Sequence, residues 1–257
     1  MKIFVIVAAL LVSLNLRGAD WLDSLGFGSK SANKTNRLSL GGAALSQDQI
    51  VQGLKEALSK GVQKAVNQLG REDGFLTNLS VRIPLPEKLH TAEKTLRTLG
   101  QSKLADDFVG SMNHAAEKAV PEAAAVFGEA IKQMSIADAQ AILAGTNNAA
   151  TEYFRKATQT NLFARFQPIV QKATEQVGVT AKYKQLVGKA GSVQSFGGLF
   201  GTKSSATPET LDLDAYVTHG AMDGLFKLVA EEEKRIRENP LARTSDLLKK
   251  VFGSAAK

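Results

Sequence analysis

The sequence predicts an all-α fold, a single multi-helix domain of about nine or ten helices with no significant sheet. Apolar residues recur three and four positions apart along most of the chain, and glycine or proline stands at the ends of these stretches. No stretch shows the sustained alternation of apolar and polar residues that is typical of a β-strand. The 257 residues are 44% hydrophobic and 22% charged, which is enough for one large core.

The chain opens with a candidate export signal. Lys2 precedes an apolar run from Ile3 to Leu14, which is too short to cross a bilayer comfortably but suits a signal peptide. We expect residues 1–19 to be that signal; because Arg17 stands where a small residue is preferred, N-terminal anchoring without cleavage is the alternative. Residues 20–45 are rich in Gly, Ser and Asn and predict a flexible leader. Export places the protein in the periplasm.

The helical domain is predicted over residues 46–257. Its first helix begins at Ser46, an N-cap with Gln49 three residues later, and ends at Gly70. A second helix is expected between Pro86 and Gly100. The sequence then predicts helices around Phe108 to Ala119 and beyond Pro121.

Further helices are predicted after Ser135, which has Asp138 in capping position, and on either side of Pro168. A Gly and Ser-rich internal loop is expected at residues 191–210. A long helix follows at residues 212–238, and a last short one is expected in "SDLLKKVF".

The formal charge of +7 is unevenly distributed. Residues 149–203 contain eight Lys and Arg against two Glu. In an envelope compartment such a segment favours peripheral contact with anionic lipid or acidic partners over nucleic acid. The alternative is a solvated helix face without a partner.

The stretch "MNHAAEKAVPEA" places His114 and Glu117 three residues apart, which raises the question of a metal or acid-base site. On a helical wheel both side chains are predicted to point away from the apolar stripe through Phe108 and Met112. The chain has one Glu-x-x-His pair, Glu87 and His90, where a di-iron bundle needs two. We therefore expect no metal and no cofactor.

Nucleophilic catalysis also lacks its residues. The chain has no cysteine, so it has no disulfide and no thiolate. It has no Gly-x-Ser-x-Gly elbow, and "GGLFGTKS" lacks the second glycine of a phosphate loop. No catalytic residue is predicted.

Glu232 breaks the apolar pattern of the long C-terminal helix, because it falls in the middle of its stripe. A carboxylate there must be paired, protonated or in a cavity. Arg165 is the expected partner, and Asn161 lies on the same predicted face. The alternative is a solvated Glu232 at a protruding helix end, supported by i, i+4 pairs of Glu231 and Glu233 with Arg235 and Arg237.

Aromatic and basic residues cluster in "YFRKATQTNLFARFQPIV". Tyr153 and Phe154 are candidates to line a groove for an apolar ligand, with core packing as the alternative. Gly220 and Gly224, one helical turn apart, predict the close approach of a neighbouring helix.

Several motifs resemble one known family. They include "GFLTNLSVRIPLPEKL", "MNHAAEKAVPEA", "AATEYFRKAT", "YVTHGAMDGLF" and "AEEEKRIRENPLARTSDLLKKVFG", in this order between Ser46 and Gly253. The chain resembles the bacterial domain-of-unknown-function family 4197. The resemblance implies an exported helical domain and brings no activity, ligand or catalytic residue. An arginine is common in that family where this chain has His114, which argues further against a metal role.

Three classes of function follow from the sequence. We expect an exported, non-catalytic module that binds an apolar or lipid-like ligand or an envelope protein partner. The second class is an enzyme that uses Glu232 as acid or base. The third is a structural or assembly protein without a small ligand.

Overall fold

A computed structural model describes residues 46–176, 178–197 and 211–239, together with Ala242 and Lys249. These ranges contain helices and short 3₁₀ turns and no strand, so the predicted all-α class and single helical domain are confirmed. The helices are α1 Gln47–Leu69, α2 His90–Thr98, α3 Ser102–Ala119, α4 Ala123–Gln133, α5 Ile136–Ala144, α6 Ala149–Gln176, α7 Val179–Gly197 and α8 Leu213–Glu238.

Two helix starts follow directly from local sequence. The hydroxyl of Ser46 accepts the Gln49 N–H, and the Gln49 side chain accepts the Ser46 N–H, which completes a capping box at α1. Ser135 and Asp138 form the same reciprocal pair at α5. Both predicted caps are confirmed.

Helix α8 lies at the centre of the fold, in contact with α1, α3 and α6. Its stripe of apolar residues is buried among theirs. The Phe127 ring of α4 meets Phe154 of α6 and Phe226 of α8 edge-on, at centroid distances of 5.0 and 5.8 Å. The core therefore joins helices from both halves of the chain.

Helix α6 is continuous where two helices were predicted, because it runs through Pro168. A proline removes one i to i−4 hydrogen bond, that of the Ala164 carbonyl. Ala164 and Pro168 are both exposed, so water can take the place of the missing donor. The prediction of a break was wrong for this reason.

Several predictions concern residues outside the described ranges. They are the signal at 1–19, the leader at 20–45, most of the last helix, and residues 198–210 of the internal loop. Helix α7 extends to Gly197 and so occupies the beginning of the predicted loop, in a stretch without proline. Within the described ranges no helix has the length and apolar character needed to span a membrane.

Candidate functional site

The predicted groove residues of α6 do not form one site. Phe154 is fully buried in the core, and the half-buried Tyr153 donates its hydroxyl to the Ala130 carbonyl at 3.3 Å. Burial also raises the pKa of Tyr153. Asn161 and Arg165 are exposed. Tyr153 and Phe154 thus pack, while the two polar candidates face solvent.

Glu232 is buried and paired, as predicted, with 8% of its surface exposed. Its carboxylate lies 2.5 Å from Lys64 Nζ of α1 and accepts a 2.8 Å hydrogen bond from Arg235 Nε. The predicted contact with Arg165 is wrong, because Arg165 lies 3.8 Å from Glu122 instead. Arg165 and Asn161 both lie on the exposed face of α6, so Arg165 does not reach the buried Glu232.

Glu233 is a second buried carboxylate, and it holds α6 in place. It accepts hydrogen bonds from the backbone N–H groups of Ala150 and Thr151 and from the Thr151 hydroxyl, each at 2.9 Å. It therefore caps the N-terminus of α6 from α8. Arg237 donates to Glu233 at 2.9 Å and to the Ile142 carbonyl at 2.7 Å, so the pair also binds the end of α5.

Of the two predicted i, i+4 pairs, Glu233 with Arg237 is confirmed and Glu231 with Arg235 is wrong, since Arg235 binds Glu232. The capping role of Glu233 was missed from sequence. No sequence signal singles it out, because Glu233 is one of three consecutive glutamates and α6 begins directly after Asn147 and Asn148, which are themselves favourable N-cap residues.

Glu117 is the third buried carboxylate, with 4% of its surface exposed. It accepts the Phe75 N–H at 3.1 Å, and His114 Nδ1 lies 2.9 Å from its other oxygen. The prediction that Glu117 points outward was wrong, because the chain after α1 covers this face of α3. His114 stays partly exposed, with Nε2 4.0 Å from Asp73. The described residues contain no group of three potential metal ligands.

Residues 75–85, the connecting segment, lead from α1 towards α2. Val81, Ile83 and Leu85 are buried while Arg82 and Pro84 are exposed, which is the two-residue period of an extended chain. Extended backbone inside a helical protein needs partners for its polar groups.

The fully buried Asn113 of α3 supplies two of these partners. Its Oδ1 accepts the Ile83 N–H at 2.8 Å, and its Nδ2 donates to the Ile83 carbonyl at 2.9 Å. The same Nδ2 donates to the Val109 carbonyl at 2.8 Å, which fixes the amide rotamer. The middle of the connecting segment is thereby fixed to α3.

Helix α8 holds the other side of the connecting segment. A methyl carbon built at Gly220 would lie 2.9 Å from Ile83 Cγ1, and one built at Gly224 would lie 2.6 Å from Phe75 Cε1. The two glycines therefore permit a close approach, as predicted, but the neighbour is this extended segment and not a helix. Tyr216 donates its hydroxyl to the Pro84 carbonyl at 3.1 Å.

Leu79 stands at the turn of this anchored segment with 85% of its surface exposed. It is the most exposed large hydrophobic side chain in the described part of the protein. The turn on which it stands is itself ordered: Asn78 Oδ1 accepts the Ser80 N–H, and Lys227 of α8 donates to the Ser80 carbonyl at 2.7 Å.

Leu79 borders an open cleft of about 360 Å³ between the connecting segment, α2 and α3. We call it the Arg82 cleft. Its apolar lining includes Leu85 and Val109, and its charged lining comprises Arg82, Glu93, Arg97 and Asp106. Arg97 lies between Glu93 and Asp106, at 2.8 and 2.9 Å, whereas the exposed Arg82 side chain has no partner among the described residues.

Two other clefts are less well suited to a ligand. One, of about 580 Å³, is a polar surface along α1 that includes Lys64 and Arg71. The other, of about 230 Å³, lies between the connecting segment and α8. The first is lined by polar and charged side chains, and the second is smaller than the Arg82 cleft and shares Arg82 with it.

The fold and surface define a helical domain whose buried carboxylates are bound by cations, hydrogen-bond donors or a histidine, and whose Arg82 cleft is open. The model of one protein family, described as "Protein of unknown function (DUF4197)", matches residues 44–253. The chain therefore belongs to the DUF4197 family, as the sequence motifs indicated. No curated protein and no solved structure matches it.

Proposed function

We propose that this protein is an exported, non-catalytic domain of the bacterial cell envelope that binds a partner at its open surface. The export part of the proposal is supported by Lys2 and the apolar run that follows it. The binding part is supported by one observation, the exposed Leu79 on a turn that is anchored on both sides.

An exposed leucine alone is common on protein surfaces. Leu79 differs because the backbone that carries it is fixed by Asn113 and Lys227. A pre-organised apolar side chain loses little conformational freedom on binding, which is the property of an interface anchor. It also stands at the edge of a cleft with a free guanidinium.

The buried carboxylates do not favour the enzyme hypothesis. Glu232 is bound by two cations, and Glu233 by a helix N-terminus and Arg237. A general base needs a free lone pair directed at a substrate. Each of these carboxylates instead links α8 to another helix, Glu232 to α1 through Lys64 and Glu233 to the N-terminus of α6.

Native mass spectrometry tests the proposal. The protein is exported to a periplasm and purified without detergent, and its native mass is compared with the denatured mass of the same sample. A denatured mass without residues 1–19 and a native mass that includes a bound partner support the proposal. An uncleaved chain found in the cytoplasm contradicts the export part. In a second sample the cells are crosslinked before purification, and a chain that then carries no bound partner contradicts the binding part.

A further inference from the structure

The Arg82 cleft combines a positively charged side chain, a group of three ion-paired side chains with a net negative charge, and an apolar surface, its floor. Arg97 shares its charge between Glu93 and Asp106, so these three side chains together carry one negative charge. Arg82 carries one positive charge without a partner among the described residues. Leu79, Leu85 and Val109 provide apolar surface between these groups.

Resting on the proposed function, we propose that this cleft binds an extended peptide segment of a partner protein, with an acidic side chain of the peptide on Arg82 and a neighbouring apolar side chain against Leu79. Arginine is suited to this role because its planar guanidinium binds a carboxylate through two parallel hydrogen bonds. Without residues 1–19, which contain Lys2 and Arg17 and no acidic residue, the formal charge falls from +7 to +5, which still favours the approach of an acidic partner.

The backbone of the cleft also fits a peptide. The N–H of Leu85 has no hydrogen-bond partner among the described residues, and Leu85 lines the cleft. A peptide carbonyl is the natural acceptor for such a donor. The remaining lone pairs of Glu93 and Asp106 can accept peptide N–H groups.

A lipid fits this cleft less well. An acyl chain requires a long apolar channel, whereas four charged side chains surround this small apolar floor. The volume of about 360 Å³ is at the lower end of ligand sites and is suited to a few residues of extended chain.

The test uses NMR chemical-shift mapping on the exported, purified protein. The probe is the capped peptide Ala-Leu-Glu-Leu-Ala, compared with Ala-Leu-Gln-Leu-Ala and with vesicles of phosphatidylglycerol. We expect the glutamate peptide to shift the amide signals of residues 79–83, of Leu85 and of residues 106–109 in a saturable manner. The glutamine peptide is expected to bind about tenfold more weakly, since it loses a charge-assisted hydrogen-bond pair.

Matched variants locate the contact. Arg82→Gln is expected to weaken binding of the glutamate peptide about tenfold and to abolish its preference over glutamine. Leu79→Ser is expected to weaken both peptides equally. The controls are Arg71→Gln, another exposed arginine outside the cleft, and Ile136→Ser, an exposed apolar residue of α5; neither is expected to change binding.

The proposal is overturned if neither peptide shifts the amide signals of the cleft, if the two peptides bind with equal affinity, or if only the phosphatidylglycerol vesicles shift these signals. A native complex that persists unchanged in Arg82→Gln and Leu79→Ser also overturns it, while the proposed binding function stands. The spectrum of each variant shows directly whether it is folded, so loss of structure cannot be taken for loss of binding.

Discussion

The packing of the connecting segment on α8 makes Gly224 sensitive to a single methyl group. In Gly224→Ala the new carbon would lie 2.6 Å from Phe75 Cε1 and 3.2 Å from Val81 Cβ, where contacts near 3.5–4.0 Å are favourable. Phe75 is fully buried and cannot turn into solvent. Overpacking of this kind costs about 1–3 kcal/mol, and we expect the upper part of that range.

The helix itself favours the substitution, since alanine stabilises a helix interior by about 1 kcal/mol relative to glycine. The net expectation for Gly224→Ala is a loss of about 1–2 kcal/mol. Gly188→Ala in α7 is the matched control. Gly188 is exposed and a carbon built there meets nothing within 4 Å, so this variant should gain about 0.5–1 kcal/mol.

Urea unfolding followed by circular dichroism at the helix band measures both variants. The two free energies of unfolding should move in opposite directions from the wild type. If Gly224→Ala is as stable as Gly188→Ala, the connecting segment does not pack on α8 as described, and the anchoring of Leu79 loses its basis.

Three further predictions concern buried polar groups. Asn113→Leu should cost about 2–4 kcal/mol in urea unfolding, because two buried backbone groups lose their partners; an unchanged stability would contradict the hydrogen bonds. In double-mutant cycles Glu232→Gln should couple to Lys64→Met by about 1 kcal/mol and be additive with Arg165→Met; the reverse pattern would restore the sequence-based pairing. Hydrogen bonds from Ser135 lower the pKa of Asp138. The stability that Asp138 adds relative to Asp138→Asn should therefore be complete above the ordinary aspartate pKa of 3.8 and be lost as the pH falls below that value; a difference in unfolding free energy that stays constant from about pH 6 to 3 would refute this.

The sequence predicted what depends on neighbouring residues. The capping box at Ser46 spans three positions, so the pattern and the structure agree. The burial of Glu232 was also predictable, because the apolar stripe of its own helix surrounds it. In both cases one helix contained the whole signal.

The sequence failed where a distant segment determines the environment. Glu117 lies outside the apolar stripe of α3, yet it is buried because Phe75, 42 positions earlier, covers it. Glu233 caps α6 at Ala150, 83 positions away. A helical wheel gives the direction of a side chain within its own helix but contains no information on which part of the chain will cover it.

The connecting segment links these observations. The side chains that fix it, Asn113 and Glu117, come from α3, and the glycines that admit it come from α8. A buried amide and a buried carboxylate are costly unless each is fully hydrogen-bonded, so their use here indicates that a defined backbone position is required. That position presents Leu79 and Arg82 together at the surface, which is why our proposal places a binding site at this part of the fold.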